Sequence, residues 1–492
     1  MKTTQLASED REFFALVSEA VFSNPFSEER MHADQRLSGL SQKASREEHL
    51  DAAVDRTRHV LGKLRQSGQD NISLYVEPDR SLIEIGHLFD IFHRHIDDFD
   101  RFTQMQRTAG DAICPVPFAT EVTGVLRERG FSIQDASRYF SMFYQLRRAF
   151  FFINTSLIGR SRSMKQLRLS LWDNVFTHDM RLYKRHLWNR MEDFSTLLLG
   201  ETGTGKGAAA TAIGRSGFIP FDDKRKCFSE SFMSSYLPIN LSQFPEALIE
   251  SELFGHRKGA FTGAVEAHNG VFSRCSPHGA IFLDEIGEVS IPVQIKLLQV
   301  LQERAFSPVG SHEKKRFGGR VIAATNRAID ELRRSGIFRD DFFYRLCSDV
   351  ITVPTLRQRL DEDPGELEDL LMLTINRIIG EPSRELTDLV SAVIEKDLGR
   401  SYRWPGNVRE LEQCVRRVLL TRGYKGDHKA VAPDLRAKLL NGIEDGAYNA
   451  QELISDYCKL LHNRHGTYEE VARRTNLDRR TVKKHVTGAI ET

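Results

Sequence analysis

A parallel α/β sheet with helices on both faces, preceded by a mostly helical segment and followed by a small all-helical one, is the fold class this sequence predicts. Three observations carry that expectation. Short apolar runs, "STLLLG", "GAIFLDEIGE" and "GRVIAATNR", each end in Gly, Asp or Asn and alternate with helical stretches, the pattern of a parallel sheet. Upstream, "REFFALVSEAVF", "SLIEIGHLFDIFHRHIDDFDRF" and "SRYFSMFYQLRRAFFFI" space their apolar residues three and four apart, as helices do. Downstream of Pro354 the same spacing returns in "ELEDLLMLTINRIIG" and "VRELEQCVRRVLL".

At 492 residues the chain exceeds one ordinary core. The expected division is a helical segment over 1–157, an α/β core over 158–360, a helical lid over 361–424, a polar linker over 425–448 and a last helical domain over 449–492. The N-terminus, "MKTTQLASEDREFF", is acidic where a signal peptide needs an apolar run, and no stretch approaches the roughly 18 apolar residues of a membrane helix. A cytoplasmic protein without membrane contact is therefore expected. Six cysteines (Cys114, Cys227, Cys275, Cys347, Cys414, Cys458) form no C-x-x-C pair, so they are expected as buried thiols and not as a zinc cluster or disulfide framework. With a net charge of +1, any nucleic-acid binding needs a local basic patch, and one lies at the C-terminus.

His93 and His95 stand beside Asp97, Asp98 and Asp100, but a spacing of two residues puts the histidines on different helix faces, so a polar helix surface is expected in place of a metal site. The aromatic run "YFSMFYQLRRAFFFI" reads as core, or as a face packed on the neighbouring domain.

The chemistry concentrates in the α/β part. "GETGTGKG" (Gly200, Glu201, Thr202, Gly203, Thr204, Gly205, Lys206, Gly207) follows an apolar strand and precedes a small-residue helix, the setting in which backbone N–H groups wrap a polyphosphate. Lys206 is expected against the outer phosphates, while Gly207 offers no hydroxyl to magnesium. The strand of "AIFLDEIGE" delivers Asp284, suited to hold Mg²⁺ directly or through water, and Glu285, suited to orient or deprotonate the attacking water. "VIAATNR" ends at Thr325 and Asn326, polar groups placed to touch the γ-phosphate or the water. Nucleotide hydrolysis is the chemistry this set supports.

"ESELFGHRKGAFTGA", "FLDEIGE", "AATNR", "FRDDFFYRL" and "WPGNVREL" follow one another in that order. This succession resembles the AAA+ ATPase domain of bacterial enhancer-binding proteins, the activators of sigma-54 RNA polymerase, over roughly Ile158 to Leu420, with a Fis-like helix-turn-helix beyond it. The resemblance implies an AAA+ P-loop domain with a helical lid that takes ATP and Mg²⁺. It implies that Gly259, Ala260, Phe261, Thr262, Gly263 and Ala264 form a mobile loop touching sigma-54. It implies that Arg339 and Arg345 are fingers reaching the ATP of a neighbouring subunit in a hexameric ring. It further implies that Asn240 pairs with Glu285 and that Arg409 is the lid arginine near the phosphates. In that family the residue after the P-loop lysine is commonly glutamate, so Gly207 is a departure. Two spacings are also longer than usual, Gly159 to Gly200 and Lys206 to Asn240, and the first 157 residues resemble nothing recognisable; there a regulatory ligand or protein is expected to act.

"GTYEEVARRTNLDRRTVKKHV" reads as helix, turn and a second helix capped by Asp478. Arg479, Arg480, Thr481, Lys483, Lys484 and His485 are placed as a recognition helix places its side chains on double-stranded DNA; the resemblance implies that this DNA is an upstream activating sequence bound by dimers. Three readings stay open on the sequence: a DNA-bound ATPase that remodels the sigma-54 polymerase closed complex, a nucleotide-switched DNA-binding repressor, and an AAA+ remodeller of another protein.

Overall fold

The structure, a computed structural model, describes residues 4–426, 435–444 and 446–487. The residues 427–434 and 445 of the expected linker and the tail 488–492 lie outside the described residues. Contacts divide the chain into two compact units, Met1–Arg422 and Gly423–Thr492.

Among the described residues, the first unit is built on nine strands: β1 Thr196–Leu199, β2 Phe221–Asp222, β3 Cys227–Phe228, β4 Tyr236–Asn240, β5 Ala280–Asp284, β6 Ala305–Phe306, β7 Lys315–Arg316, β8 Arg320–Thr325 and β9 Asp349–Thr352. Five of them form one all-parallel sheet in the order β4-β5-β8-β1-β9, and β2–β3 and β6–β7 are small antiparallel hairpins. In register, Asn240 stands beside Asp284, Asp284 beside Ala324, and Leu199 beside Thr325. The polar ends of the central strands thus share one edge of the sheet, the carboxyl edge where open α/β sheets bind ligands.

Because successive strand residues face opposite sides, the sheet feeds two cores. Leu197, Ile281, Leu283, Val321 and Ala323 pack under Phe254, Phe272 and Leu297 on one face. Leu198, Phe282, Ile322 and Ile351 point the other way, into a core shared with Phe14, Phe140, Tyr144 and Phe152 of the N-terminal helices. Those helices start where the sequence offers caps: Ser45 forms a capping box with Glu48, and the Ser132 hydroxyl accepts from the Asp135 N–H before the long helix Ile133–Ser156.

The aromatic run of that helix is core and packing face, as expected. What it packs on is the second of the two long spacings. β2 and β3 lie there, and Phe140 meets Phe221 at 4.7 Å while Tyr144 stacks on Phe228 at 4.1 Å. The first long spacing supplies the helix Arg162–Phe176, whose Trp172 is buried in the same core. His93 and His95 are not on a polar surface: His95 is buried, His93 half-buried, because their helices turn these faces towards Phe89, Phe92 and Phe118. Among the described residues, no group of three or more His, Cys, Asp or Glu can hold a metal ion, and no helix is long and apolar enough to cross a membrane.

A lid of four helices, Leu356–Glu362, Glu366–Ile379, Arg384–Asp397 and Asn407–Thr421, completes this unit. The buried pair Arg359–Glu366, 2.7 Å apart, ties it to the chain entering the core: Arg359 donates to the Ile158 carbonyl at 2.7 Å and Glu366 accepts the Ser161 N–H at 2.5 Å.

The second unit holds helices Leu435–Glu444, Ala450–His465, Tyr468–Thr475 and Arg479–Thr487, the last three around Cys458, Leu461, Val471 and Val482.

Candidate active site

β1 ends at Leu199 and the chain turns through Gly200–Gly205 into the helix Lys206–Gly214. A helix N-terminus offers unpaired N–H groups and a positive dipole end, which together suit phosphate. Lys206 is buried, its Nζ donating to the carbonyl oxygens of Gly200 at 2.8 Å and Glu201 at 3.1 Å. Burial draws its pKa below the ordinary lysine value, against the pull of Glu285 and Asp284.

Asp284 and Glu285, at the end of β5, are both held above the usual carboxylate range. Burial is the largest cause for each, and Asp284 raises Glu285 further. Glu285 takes a left-handed backbone, φ 59°, and its Oε2 is buried without a hydrogen-bond partner among the described residues. Strain in a non-glycine residue and an orphaned carboxylate oxygen both cost stability, and such outliers gather where function requires them.

Asn326 donates through Nδ2 to Thr202 Oγ1 at 2.8 Å, and its backbone N–H supports the Glu285 carboxylate. Asn240 does not bond Glu285. Its Oδ1 accepts from the Ser242 N–H at 3.0 Å and the Ser242 hydroxyl at 2.7 Å, capping the short turn Leu241–Gln243. Asn240, Lys206, Asp284, Glu285 and Arg409 nevertheless line one cavity of about 530 Å³, whose other end is apolar, with Ile158, Met164 and Leu370.

The lid closes on the phosphate loop at Gly203. A Cβ there would lie 2.3 Å from the Gly406 carbonyl oxygen, so only glycine permits the contact. Two residues that the sequence reading passed over hold it. Asn407 donates to Glu201 Oε2 and to the Thr202 carbonyl, each at 3.1 Å, and accepts the Leu356 N–H at 2.8 Å; Arg357 forms an ion pair with Glu201. Burial alone would raise Glu201, but the bonds from Arg357 and Asn407 outweigh it and hold this carboxyl below its usual range. A positive φ at Trp404 and Asn407 shapes the "WPGN" turn, and that motif was the available signal. At Gly207 no atom lies within 4 Å of a would-be Cβ, so the place where a hydroxyl is missing is open space.

The GAFTGA loop closes on itself. Gly259 N–H donates to the Ala264 carbonyl at 2.8 Å and Ala264 N–H to the Phe261 carbonyl at 3.0 Å, a tight turn that Gly259 and Gly263 make with φ of 81° and 101°. Phe261 and Thr262 are exposed at its tip, Phe261 resting edge-on to His256 with ring centres 4.9 Å apart, while Ala264 is buried and Ala260 abuts Gly310. His256 braces both ends of the loop, bonding Ser251 Oγ at 2.6 Å and the Glu266 carbonyl at 2.9 Å.

The two arginines differ. Arg339 pairs with the near-surface Asp341 at 2.6 Å, whereas Arg345 gives two bonds, at 3.0 and 2.8 Å, to the Leu301 carbonyl of its own chain.

In the second unit, Arg479, Arg480, Lys483 and Lys484 are exposed at successive turns of one helix. Thr481 and His485 are half-buried and already bonded within the chain. The Thr481 hydroxyl bonds Asp478, which also caps the helix by accepting the Arg480 and Thr481 N–H groups, and His485 Nδ1 lies 2.8 Å from Ser455 Oγ.

Comparison with known proteins bears on the middle of the chain. Residues 178–352 match the family profile described as the sigma-54 interaction domain. The Nif-specific regulatory protein of Azotobacter vinelandii is 44% identical over 243 residues, 49% of this chain and 41% of that protein. The nitrogen fixation protein VnfA of Azotobacter vinelandii is 37% identical over 305 residues, 58% of this chain and 53% of that one. Among solved structures, NtrX from Brucella abortus in complex with ATP is 21% identical and covers 75% of this chain and 80% of its own, with a TM-score of 0.40, a likeness too loose to bear on the site. The chain spans about half the length of the curated relatives it matches.

Proposed function

We propose, from the premise that residues 178–352 are a sigma-54 interaction domain, that this protein is a cytoplasmic, DNA-bound ATPase that remodels the sigma-54 polymerase closed complex and so activates transcription. One observation carries the reading. Lys206, Asp284 and a strained Glu285, whose Oε2 has no hydrogen-bond partner among the described residues, share a cavity at the carboxyl edge of the sheet, on a domain that also presents Phe261 and Thr262 at an exposed tip.

ATP fits with its phosphates on the Gly200–Gly207 turn and its base between Ile158, Met164 and Leu370. Asp284 suits Mg²⁺, which takes one or two carboxylates and keeps phosphate oxygens and waters for its other ligands. When bound, the ion supplies charge neutralisation at the phosphates. Glu285 orients the attacking water and accepts its proton, Lys206 and Arg409 balance charge on the phosphate oxygens, and Asn326 registers the change through Thr202. Arg339 and Arg345 are proposed as fingers acting across subunits of a hexameric ring. The exposed Arg479, Arg480, Lys483 and Lys484 contact DNA as a dimeric reader, joined by Thr481 beside the exposed cap at Asp478 and by His485 once it leaves Ser455.

The test compares the intact protein with Thr262→Ala in the presence of ADP–aluminium fluoride. The wild type is expected to hydrolyse ATP and to retain sigma-54 on gel filtration, and the variant to hydrolyse without retaining it. Hydrolysis with no retention by either protein gives the loop another client and overturns the activator reading.

A further inference from the structure

A second cavity, of about 320 Å³, lies among the N-terminal helices, away from the nucleotide. Small-molecule sites begin at about 300 Å³ and have apolar walls with a few placed polar groups. The walls here are Phe89, Phe92, Met142, Phe143, Phe150 and Trp172.

The polar side chains at this cavity are four cations and four others, Ser23, Asp34, His93 and Tyr139. Arg30, Arg46, Arg147 and Lys184 line it, and three of them have a carboxylate each: Asp34 at 2.9 Å, Asp100 at 2.6 Å and Glu84 at 2.7 Å. Arg46 has none. It is exposed, and the hydrogen bond it makes is to the Pro25 carbonyl. His93 points its Nδ1 at the Phe89 carbonyl, 2.9 Å away, which can only accept, so Nε2 is an acceptor without a protein partner among the described residues. Burial keeps this ring neutral, with a pKa lowered to about 3.

We propose that this cavity binds an organic acid with an apolar body, its acid group on Arg46 and its body against the aromatic walls. A purely apolar ligand would leave Arg46 unmatched, and a small hydrophilic anion would leave the walls empty.

The helix Ile133–Ser156 reports occupancy. Tyr139, Met142, Phe143, Leu146 and Phe150 lie on its cavity face. On the opposite face Gln145 donates to the Ser216 carbonyl at 3.0 Å, and Arg148 donates to the carbonyls of Arg215 and Gly217 at 3.0 and 2.6 Å. Those carbonyls follow directly on the C-terminus of the helix that starts at Lys206. One rigid element thus touches the acid on one side and the phosphate-loop helix on the other.

Titration calorimetry of the full chain with sodium octanoate tests the site, with acetate and 1-octanol as controls. Octanoate is expected to bind saturably at one site per chain and acetate not at all. Arg46→Gln, at the exposed mouth, is expected to weaken octanoate by about tenfold or more, the scale of a hydrogen bond to a charged group, and to leave octanol unchanged. Met142→Trp, which fills the cavity, is expected to abolish binding in a protein whose circular dichroism is unchanged. No saturable binding of octanoate, or binding indifferent to Arg46→Gln, overturns the site. The transmission rests on the nucleotide reading and is read separately: octanoate must change ADP affinity, and ADP must change octanoate affinity by the same factor. Octanoate binding with unchanged ADP affinity overturns the transmission alone, whereas a failure to bind ADP counts against the nucleotide reading.

Discussion

Glu285 concentrates what a single residue contributes here. Its raised pKa means that the folded state holds the proton more tightly than the unfolded chain does, so this carboxyl favours the fold at low pH and loses that contribution as pH rises through its folded pKa. Glu285→Gln is therefore expected to melt higher than the wild type at neutral pH, with the difference closing on acidification below the ordinary carboxylate range; thermal melts across pH check it. The same variant is expected to bind ATP and to lose hydrolysis by about 10² to 10⁴, the usual contribution of a positioned acid or base. Gly207 makes the complementary prediction, since its Cβ position is empty. Gly207→Ser, which adds a hydroxyl where the phosphate-loop pattern has one, is expected to tighten Mg²⁺-dependent ATP binding without disturbing the fold, measured by fluorescent-nucleotide titration with and without the ion. These chemical residues were legible from the sequence because motif and strand context coincide on them. The position of the Asn240 side chain was not, because sequence cannot show that its Oδ1 caps the turn at Ser242.

Among the elements, the long helix Ile133–Ser156 decides most. Arg148 is fully buried within it, stacks 4.3 Å over Tyr144 and has no carboxylate within ion-pair distance among the described residues; burial lowers its pKa. A buried cation whose partners are carbonyls is held by geometry, and removing it leaves acceptors unpaired. Arg148→Met is expected to destabilise the protein by about 1 to 3 kcal/mol in urea unfolding. It is also expected to weaken nucleotide binding, although Arg148 lies outside the nucleotide cavity. The sequence marks the run containing "QLRRAFFF" as core or packing face, but nothing local distinguishes an arginine that faces solvent from one that crosses to another helix end. The extra segments before Gly200 and Asn240 were likewise visible as added length only. Phe221, Phe228 and Trp172 in them had no recognisable partner until the N-terminal helices were placed over them.

For the whole molecule, the boundary that matters falls at Arg422. A chain ending at Arg422 keeps both cores, so it is expected to stay folded and to hydrolyse ATP while losing DNA binding, seen in melting curves and mobility shifts. A chain starting at residue 158 strips one face of the sheet, where Leu198, Ile322 and Ile351 share their core with Phe140 and Phe152, and is expected to be insoluble. Assembly gives a separate test. If Arg339 serves a neighbour's site, Arg339→Ala and Glu285→Gln, each inactive alone, are expected to regain turnover when mixed, because a mixed interface pairs an intact glutamate with an intact arginine. Turnover that stays at zero at every mixing ratio counts against catalysis across subunits. The parallel α/β sheet and the many helices around it could be read from hydrophobic spacing. The fusion of the first helices with the sheet could not, because it depends on contacts between residues distant in sequence.

The β2–β3 hairpin also limits how this protein can be recombined. Its Phe221 and Phe228 are shaped to the helix Ile133–Ser156, so the helices and the hairpin form one inherited lock whose halves lie on either side of the phosphate loop. Grafting the N-terminal helices onto a relative's ATPase without the hairpin would leave aromatic surface bare on the donor piece. Keeping the hairpin and replacing the helices would leave it bare on the recipient. A transfer that keeps the core intact requires that both halves travel together.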